Sequence, residues 1–205
     1  PQMFNDPGAC GAVVTFTDPG AVDNSGIVNV VQTGGLSSGS FFPIGSNTLS
    51  FTATDAAGNT ATCSYEIIVN DFEAPVVNCP ADQNLTVEFG GEALVGFPDA
   101  VAMDNCAGVV VAQTGGLSSG SAFPLGVTEV TYTATDASSN TASCTFSITV
   151  TQEADTQAPV FTCPGSPQIF NDPGQCGAVF TFTNPGAVDN SGIVNVVQTG
   201  GLSSG

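Results

Sequence analysis

The chain has 205 residues, no Lys, Arg or His, and 18 acidic residues, which gives a formal charge of −18. Without cationic side chains, nucleic-acid binding, basic contacts to anionic membranes and Ser-His-Asp or Cys-His catalysis are excluded. The mean hydropathy of +0.25 and the abundance of Val, Thr and Phe favour a folded β-protein over a disordered chain. No apolar run reaches the length of a membrane span.

Strands are predicted where apolar and polar residues alternate with a period of two. In chain order these segments are Val13–Thr17, Ile27–Val31, Thr48–Thr54 and Cys144–Val150. The predicted buried faces of the last two comprise Leu49, Phe51, Ala53, Phe146, Ile148 and Val150. The segment Asp55-Ala-Ala-Gly-Asn59 has the residues of a hairpin turn. Many short strands separated by turns predict an all-β fold of tandem immunoglobulin-like β-sandwiches, about seven strands each, arranged end to end.

The chain also repeats itself. Residues 1–39 recur as 167–205 with four differences, and a weaker repeat has about half this period. The second period is marked by Thr33-Gly-Gly-Leu-Ser-Ser-Gly-Ser40, which recurs from Thr114 and again from Thr199. We therefore predict a first repeat at 1–72, a second at 73–156 and the beginning of a third at 157–205. The chain is expected to be an excerpt of a longer array.

Several motifs in fixed order resemble one known family. They are Ala74-Pro-Val-Val-Asn-Cys-Pro80, Asp104-Asn105-Cys106, Phe123-Pro-Leu-Gly126, Val130-Thr-Tyr-Thr-Ala-Thr-Asp136 and Cys144-Thr-Phe-Ser-Ile-Thr-Val150. Together they resemble the hyalin repeat (HYR) domain over the whole chain. The first repeat departs from the pattern, because Asp23-Asn24-Ser25 replaces Asp-Asn-Cys. The resemblance implies an extracellular adhesive or structural role without catalytic residues. The form of the repeat is most similar to arrays in giant surface proteins of Bacteroidota, including gliding adhesins.

Given this fold, two loops that share one end of a sandwich are expected to join Cys106 to Cys144. In the first repeat Ser25 stands in place of a cysteine. Cys63 is therefore expected to pair with a Cys-Pro cysteine that would precede Pro1.

The remaining cysteines are expected to pair between repeats. Cys10 and Cys79 would form an inter-repeat disulfide, and Cys163 and Cys176 would have partners outside this sequence. Two alternatives stay open, a Cys163–Cys176 bond within one repeat and a set of buried free thiols. Metal ligation by the cysteines is disfavoured, because the chain has no Cys-x-x-Cys pair and no His.

Carboxylates concentrate where repeats are expected to meet. Candidate calcium ligands at the first such place are Asp6, Asp71, Glu73, Asp104 and Asp136. Ca²⁺ takes six to eight oxygen ligands, which two repeats together can supply. The alternative is that these side chains are solvated or cap turns, since Asp is common in turns. Possible Ca²⁺ is the one cofactor hypothesis.

The leading functional hypothesis is a non-catalytic structural stalk of an extracellular or cell-surface fibre, stiffened by disulfides. Its expected partners are neighbouring repeats, other copies of the fibre or a cell-surface anchor. Alternatives are an adhesive module that binds glycan or protein directly and a subunit of a multi-chain filament. The adhesive alternative predicts an exposed aromatic cluster. The Gly-Gly-Leu-Ser-Ser-Gly stretch is interpreted as either a glycan-binding loop or a flexible connection.

Overall fold

The computed structural model describes residues 1–24, 26, 28–192 and 194–201, and all the regular secondary structure of these residues is β-strand. The first strands are β1 (Gln2–Phe4), β2 (Gly11–Val14), β3 (Val28–Gly34), β4 (Ser40–Pro43), β5 (Gly45–Asp55) and β6 (Thr60–Asn70). The next are β7 (Val76–Asn78), β8 (Gln83–Val87), β9 (Ala93–Val95), β10 (Val101–Met103), β11 (Val110–Gly115) and β12 (Ser121–Phe123). The last are β13 (Gly126–Thr135), β14 (Thr141–Gln152), β15 (Val160–Thr162) and β16 (Gly186–Val188). Within the described residues no helix is long and apolar enough to span a bilayer.

The chain divides into two compact units. The first comprises Pro1–Asp82, Gly96–Ser119 and Glu129–Ser147, and the second comprises Gln83–Val95, Gly120–Thr128 and Ile148–Gly205. The repeat boundaries at residues 72 and 156 stay a prediction.

In the first unit, a four-stranded sheet has the order β1-β6-β5-β3, and β2 pairs with β4 in a second sheet. Strands β5 and β6 form a long antiparallel hairpin, whereas β1 runs parallel to β6. The predicted turn closes this hairpin, because the N–H of Asp55 bonds to the carbonyl of Asn59 and Gly58 has a φ of 87°. The Asp55 carboxylate accepts hydrogen bonds from the side-chain amide and the N–H of Asn59 and from the N–H of Ala57, which lowers its pKa.

The core of the first sandwich lies between these two sheets. Its fully buried side chains come from alternating positions of β2, β4, β5 and β6. They are Ala12, Val14, Phe42, Leu49, Phe51, Ile67 and Val69. Period-two alternation thus places one face of each strand in the core, as predicted for Leu49 and Phe51. Ala53, at the third predicted position, is only half-buried.

The second set of strands repeats this arrangement. A four-stranded sheet has the order β11-β13-β14-β8, and β9 pairs antiparallel with β12. The predicted face of β14 is buried at Phe146, Ile148 and Val150. In the first unit, Tyr132 is also buried and donates a hydrogen bond to Asp99 at 3.2 Å. Burial and this contact raise the pKa of the Tyr132 hydroxyl. The all-β prediction of immunoglobulin-like sandwiches is confirmed.

Two predicted strands have different bounds. The segment predicted at Val13–Thr17 is strand Gly11–Val14, because the Ser38 hydroxyl takes over the N–H and carbonyl of Phe16 at 2.9 and 2.8 Å. The segment predicted at Ile27–Val31 continues to Gly34, and its first residue, Ile27, lies outside the described residues, as does Ser25.

The Gly-Gly-Leu-Ser-Ser-Gly stretch is an ordered connection. The Gln32 side chain donates hydrogen bonds to the carbonyls of Gly34 and Leu36 at 3.1 and 2.8 Å. Gly35 has a φ of 87°, and a Cβ there would lie 2.4 Å from the carbonyl oxygen of Thr48. Only glycine fits this conformation and this close approach. The recurrence of the motif therefore has a structural cause, which supports its interpretation as a connection between strands.

Candidate functional site: the joint around Asp71

Four segments at strand ends meet within the first unit, and we call them the joint. They are the loop 5–10 after β1, the connector 71–75 after β6, the turn 104–106 after β10 and the turn 136–140 after β13. Because β1 and β6 are parallel neighbours, their ends reach the same edge of the sheet. The N–H of Asn5 bonds to the carbonyl of Asn70, and the N–H of Phe72 bonds to the Asn5 side chain at 3.1 Å.

A disulfide crosses the joint between Cys10 and Cys106, with Cα atoms 4.9 Å apart. A second disulfide joins Cys79 to Cys144, with Cα atoms 5.7 Å apart. The predicted pairs Cys106–Cys144 and Cys10–Cys79 are therefore wrong. The expectation of a covalent bond from Cys10 to the following repeat is met with a different partner.

The register of β7 and β10 explains the exchange of partners. Val76, at the start of β7, lies opposite Met103, so Cys106 continues toward the joint whereas Cys79 follows the far end of β7. Cys79 and Cys106 therefore lie beyond opposite ends of this strand pair. Cys144 lies within β14, which leads away from the turn 136–140, and it therefore meets Cys79.

The other three cysteines, Cys63, Cys163 and Cys176, are unpaired and exposed. The alternative bond between Cys163 and Cys176 is thus not formed. Cys63 occupies the position on β6 that corresponds to Cys144 on β14. Cys144 pairs with Cys79, the Cys-Pro cysteine of its own repeat. A Cys-Pro partner for Cys63, and outside partners for Cys163 and Cys176, stay predictions.

Three of the five predicted calcium ligands hold the main chain instead. Asp6 accepts a bond from the N–H of Val13 at 2.8 Å, and Glu73 accepts two from the N–H of Gly8 at 2.9 and 3.0 Å. Asp136 is buried and accepts bonds from the N–H groups of Ser138 and Asn140 and from the Asn140 side-chain amide. These contacts agree with the alternative of turn-capping carboxylates, and calcium binding by these three residues stays a prediction.

Asp71 and Asp104 are different, because each keeps a buried oxygen without a hydrogen-bond partner, and so does Asn105. Asp71 is 7% exposed, and a carboxylate oxygen of Asp71, one of Asp104 and the Cys106 sulfur all lie within 4.8 Å of one another. Asn105 was not among the ligands predicted from the sequence. Its signal was its place between Asp104 and Cys106 in the Asp-Asn-Cys motif.

The second unit contains a related set of residues. Asp155 follows Ala154 as Asp71 follows Asn70. Asp189 and Asn190 follow Val188 as Asp104 and Asn105 follow Met103. Ser191 takes the place of Cys106. The Ser191 hydroxyl and N–H both donate to Asp189, which lowers the pKa of that carboxyl. Asp155 is exposed here, whereas Asp71 is buried.

Comparison with known proteins identifies the family. The HYR domain model matches residues 4–69 and again residues 70–150. The chain belongs to the HYR domain family. It is 36% identical over 197 residues to hyalin of Strongylocentrotus purpuratus, covering 93% of this chain and 16% of that protein. For hyalin of Lytechinus variegatus the identity is 34% over 194 residues, covering 93% and 36%.

A third relative is the rat protein named sushi, von Willebrand factor type A, EGF and pentraxin domain-containing protein 1. It is 37% identical over 141 residues, which cover 68% of this chain and 4% of that protein. The chain thus spans a minor part of the relatives that it matches. These relatives are animal proteins, and the expected context of Bacteroidota surface proteins has no support among them.

Solved structures of similar fold include Drosophila N-cadherin EC1-3, at a TM-score of 0.42 and 14% identity, covering 78% of this chain and 65% of that one. The fibronectin(III)-like modules of Clostridium thermocellum CbhA match at a TM-score of 0.28 and 16% identity, covering 59% and 70%.

Proposed function

We propose that this chain is a segment of a non-catalytic, load-bearing stalk in an extracellular or cell-surface fibre. The observation that carries the proposal is the overlap of the two disulfides. Cys10–Cys106 links residues of the two HYR matches, and Cys79–Cys144 begins inside the loop that the first bond closes. Cross-links placed in this way limit how far the chain extends under tension.

The covalent path along this region is short. From Cys10 it crosses to Cys106, returns 27 residues to Cys79 and crosses to Cys144. At about 3.5 Å per residue, 27 extended residues span roughly 95 Å, against about 470 Å for the 134 residues between Cys10 and Cys144. If the chain unfolds with both disulfides intact, about four fifths of the extended length between Cys10 and Cys144 therefore stays inaccessible.

Hydrogen bonds hold the connector in the folded state. The Asn105 amide donates to the carbonyl of Ala9 at 3.0 Å, and the Asn140 amide donates to the carbonyl of Asp71 at 3.3 Å. Glu73 binds the loop 5–10 through the N–H of Gly8. The connector is thus bonded on both sides, which supports a stiff rather than a hinged joint.

The disulfides and the negative net charge of the chain also support an extracellular location. Disulfides persist in oxidising compartments. A chain with a charge of −18 and no cation repels its own copies, which favours an extended array and disfavours wrong contacts between similar repeats. The proposed partners are neighbouring repeats, other copies of the fibre and a cell-surface anchor.

Single-molecule force spectroscopy of the oxidised and the reduced chain tests the load-bearing role. The reduced chain is expected to extend about 370 Å further, the difference between the two path lengths above. A Cys63→Ser variant should behave as the unchanged protein, because Cys63 is unpaired. Equal extension of oxidised and reduced chains would overturn the proposal. Sedimentation equilibrium separates a monomeric stalk segment from a subunit of a multi-chain filament.

One observation favours the adhesive alternative. Phe4 and Phe72 are 62% and 73% exposed, with ring centroids 5.1 Å apart. Aromatic side chains contribute much of the binding energy at interfaces, so an exposed pair is a candidate contact surface. If the repeats bind directly, Phe72→Ala should abolish binding to a glycan or matrix-protein array while Phe89→Ala leaves it intact. Absence of binding by the unchanged chain would remove this alternative.

A further inference from the structure

We propose that the joint binds one Ca²⁺ ion through Asp71 Oδ2, Asp104 Oδ2 and Asn105 Oδ1. These three oxygens are buried and lack a hydrogen-bond partner. A buried carboxylate oxygen without a partner is costly, and Asp71 is more than nine-tenths buried. The proposal does not depend on the stalk function, because it rests on the local arrangement of these atoms.

The described residues supply no hydrogen-bond partner for these oxygens. The three oxygens can only accept, and the chain has no Lys, Arg or His to donate a charged hydrogen bond. Rotation of the Asn105 amide does not help, since its Nδ2 already donates to the carbonyl of Ala9 at 3.0 Å and faces Asp71 Oδ1 at 3.4 Å. An exchange of Oδ1 and Nδ2 would place oxygen against oxygen. The unpartnered oxygen of Asn105 is therefore fixed in place by the contacts of its nitrogen.

The ligand chemistry selects calcium among common cations. Two carboxylates and an amide carbonyl form a hard, all-oxygen set, because the Cys106 sulfur is committed to a disulfide. A cavity of about 490 Å³ adjoins Glu73, Asp104 and Asn105 and provides room for water ligands. Because the three ligand oxygens are buried, a bound ion must give up much of its hydration shell, which Mg²⁺ does reluctantly. Ca²⁺ also tolerates irregular coordination by six to eight oxygens, whereas Mg²⁺ demands a near-ideal octahedron.

The other contacts of these residues preorganise the site. Asp71 Oδ1 accepts the N–H of Glu73 at 3.2 Å, and Asp104 Oδ1 accepts the N–H of Cys106 at 2.9 Å. Each carboxylate is thus anchored by one oxygen and presents the other. A cation between Asp71 and Asp104 would join the connector to the turn 104–106 beside the disulfide.

Isothermal titration of the full oxidised chain with CaCl₂, after chelation and dialysis at pH 7, tests the proposal. We expect a site with a dissociation constant of about 10⁻⁴–10⁻³ M, the range of extracellular modules. Asp71→Asn and Asp104→Asn should each weaken binding at least about tenfold, since each removes a charged ligand. Asp18→Asn is the charge-matched control, because Asp18 is exposed, and it should leave the affinity unchanged.

Thermal unfolding provides a readout that does not depend on the heat of binding. The melting temperature of the unchanged chain should rise by a few degrees in 10 mM CaCl₂ relative to EDTA, and by less in 10 mM MgCl₂. The Asp71→Asn and Asp104→Asn variants should fold in EDTA and lose this rise. The proposal is overturned if the unchanged chain shows no binding up to 10 mM, if both variants bind as it does, or if Mg²⁺ binds equally well.

Discussion

Removing the Cys10–Cys106 disulfide should reveal how much this bond stabilises the folded chain. The bond joins cysteines 96 residues apart. The loop-closure model assigns about 4.7 kcal/mol to a cross-link of this span, and measured values are often lower, about 2–4 kcal/mol. We expect the Cys10→Ser/Cys106→Ser double variant to lose about 2–5 kcal/mol of unfolding free energy, because its unfolded chain regains the entropy of the open loop.

Urea unfolding followed by circular dichroism measures this loss. With a slope of about 2 kcal/mol per molar urea, the midpoint of the affected transition should fall by roughly 1–2.5 M. Cys63→Ser is the control and should stay within about 0.5 kcal/mol of the unchanged chain, since Cys63 is exposed and unpaired. A double variant as stable as this control would refute the reasoning.

The pairing itself is checked by peptide mapping. Trypsin is useless here, because the chain has no Lys or Arg, but cleavage before Asp isolates each cysteine of the two bonds. The structure requires peptide 6–17 bonded to 104–135, and peptide 71–81 bonded to 136–154. The pairing expected from sequence would instead bond 104–135 to 136–154. Recovery of that pair would refute the arrangement of the joint.

Three further predictions concern local structure. Gly35→Ala should cost more than about 2 kcal/mol in urea unfolding, against about 1 for Gly39→Ala, since both have positive φ but only Gly35 meets a backbone atom. Hydrogen bonds, above all that from the Asn59 side chain, lower the pKa of Asp55 in the folded state. The carboxylate therefore stabilises the fold above about pH 4, and this stabilisation is lost as the pH falls further. Asp55→Asn should reduce the loss of unfolding free energy below about pH 4, measured by urea unfolding. Limited proteolysis before Asp residues should cut at exposed Asp155 before buried Asp71, and reduction should accelerate the second cut; equal initial rates would contradict this.

Much of the fold was accessible from the sequence, because period-two alternation reports burial directly. Leu49, Phe51, Phe146, Ile148 and Val150 were assigned to the core by this alternation and are buried. The hairpin turn after β5 was equally accessible, since its Asp, Gly and Asn have turn-specific conformations and bonds.

The cysteine pairs were not accessible in the same way. A pairing depends on how far along its strand each cysteine lies, and the sequence shows only which loop it is near. Cys79 and Cys144 were placed at loop ends, yet each lies a few residues along the sandwich from the joint. Strand register, which decides such distances, is set by tertiary pairing between β7 and β10.

The carboxylates show the same limit. Five acidic residues near the joint had equal standing as calcium ligands, because sequence position says nothing about which oxygens the main chain occupies. The structure separates them by hydrogen bonding. All five accept backbone N–H groups, but Asp71 and Asp104 each keep a second, buried oxygen without a hydrogen-bond partner.

The joint and its counterpart in the second unit differ in a coordinated way. Where the joint has Cys10 and Cys106, the turn 88–92 has no cysteine and Ser191 replaces Cys106, so both halves of the cross-link are absent together. A single lost cysteine would leave a reactive thiol, and the paired loss avoids one. The acidic residues persist at both places, as Asp71 with Asp104 and as Asp155 with Asp189. The disulfide is therefore present at the first of these two places, whereas the pair of acids is common to both. If both kinds of joint transmit load, the shared element is the pair of acids, and this is the element to which the calcium proposal assigns a role.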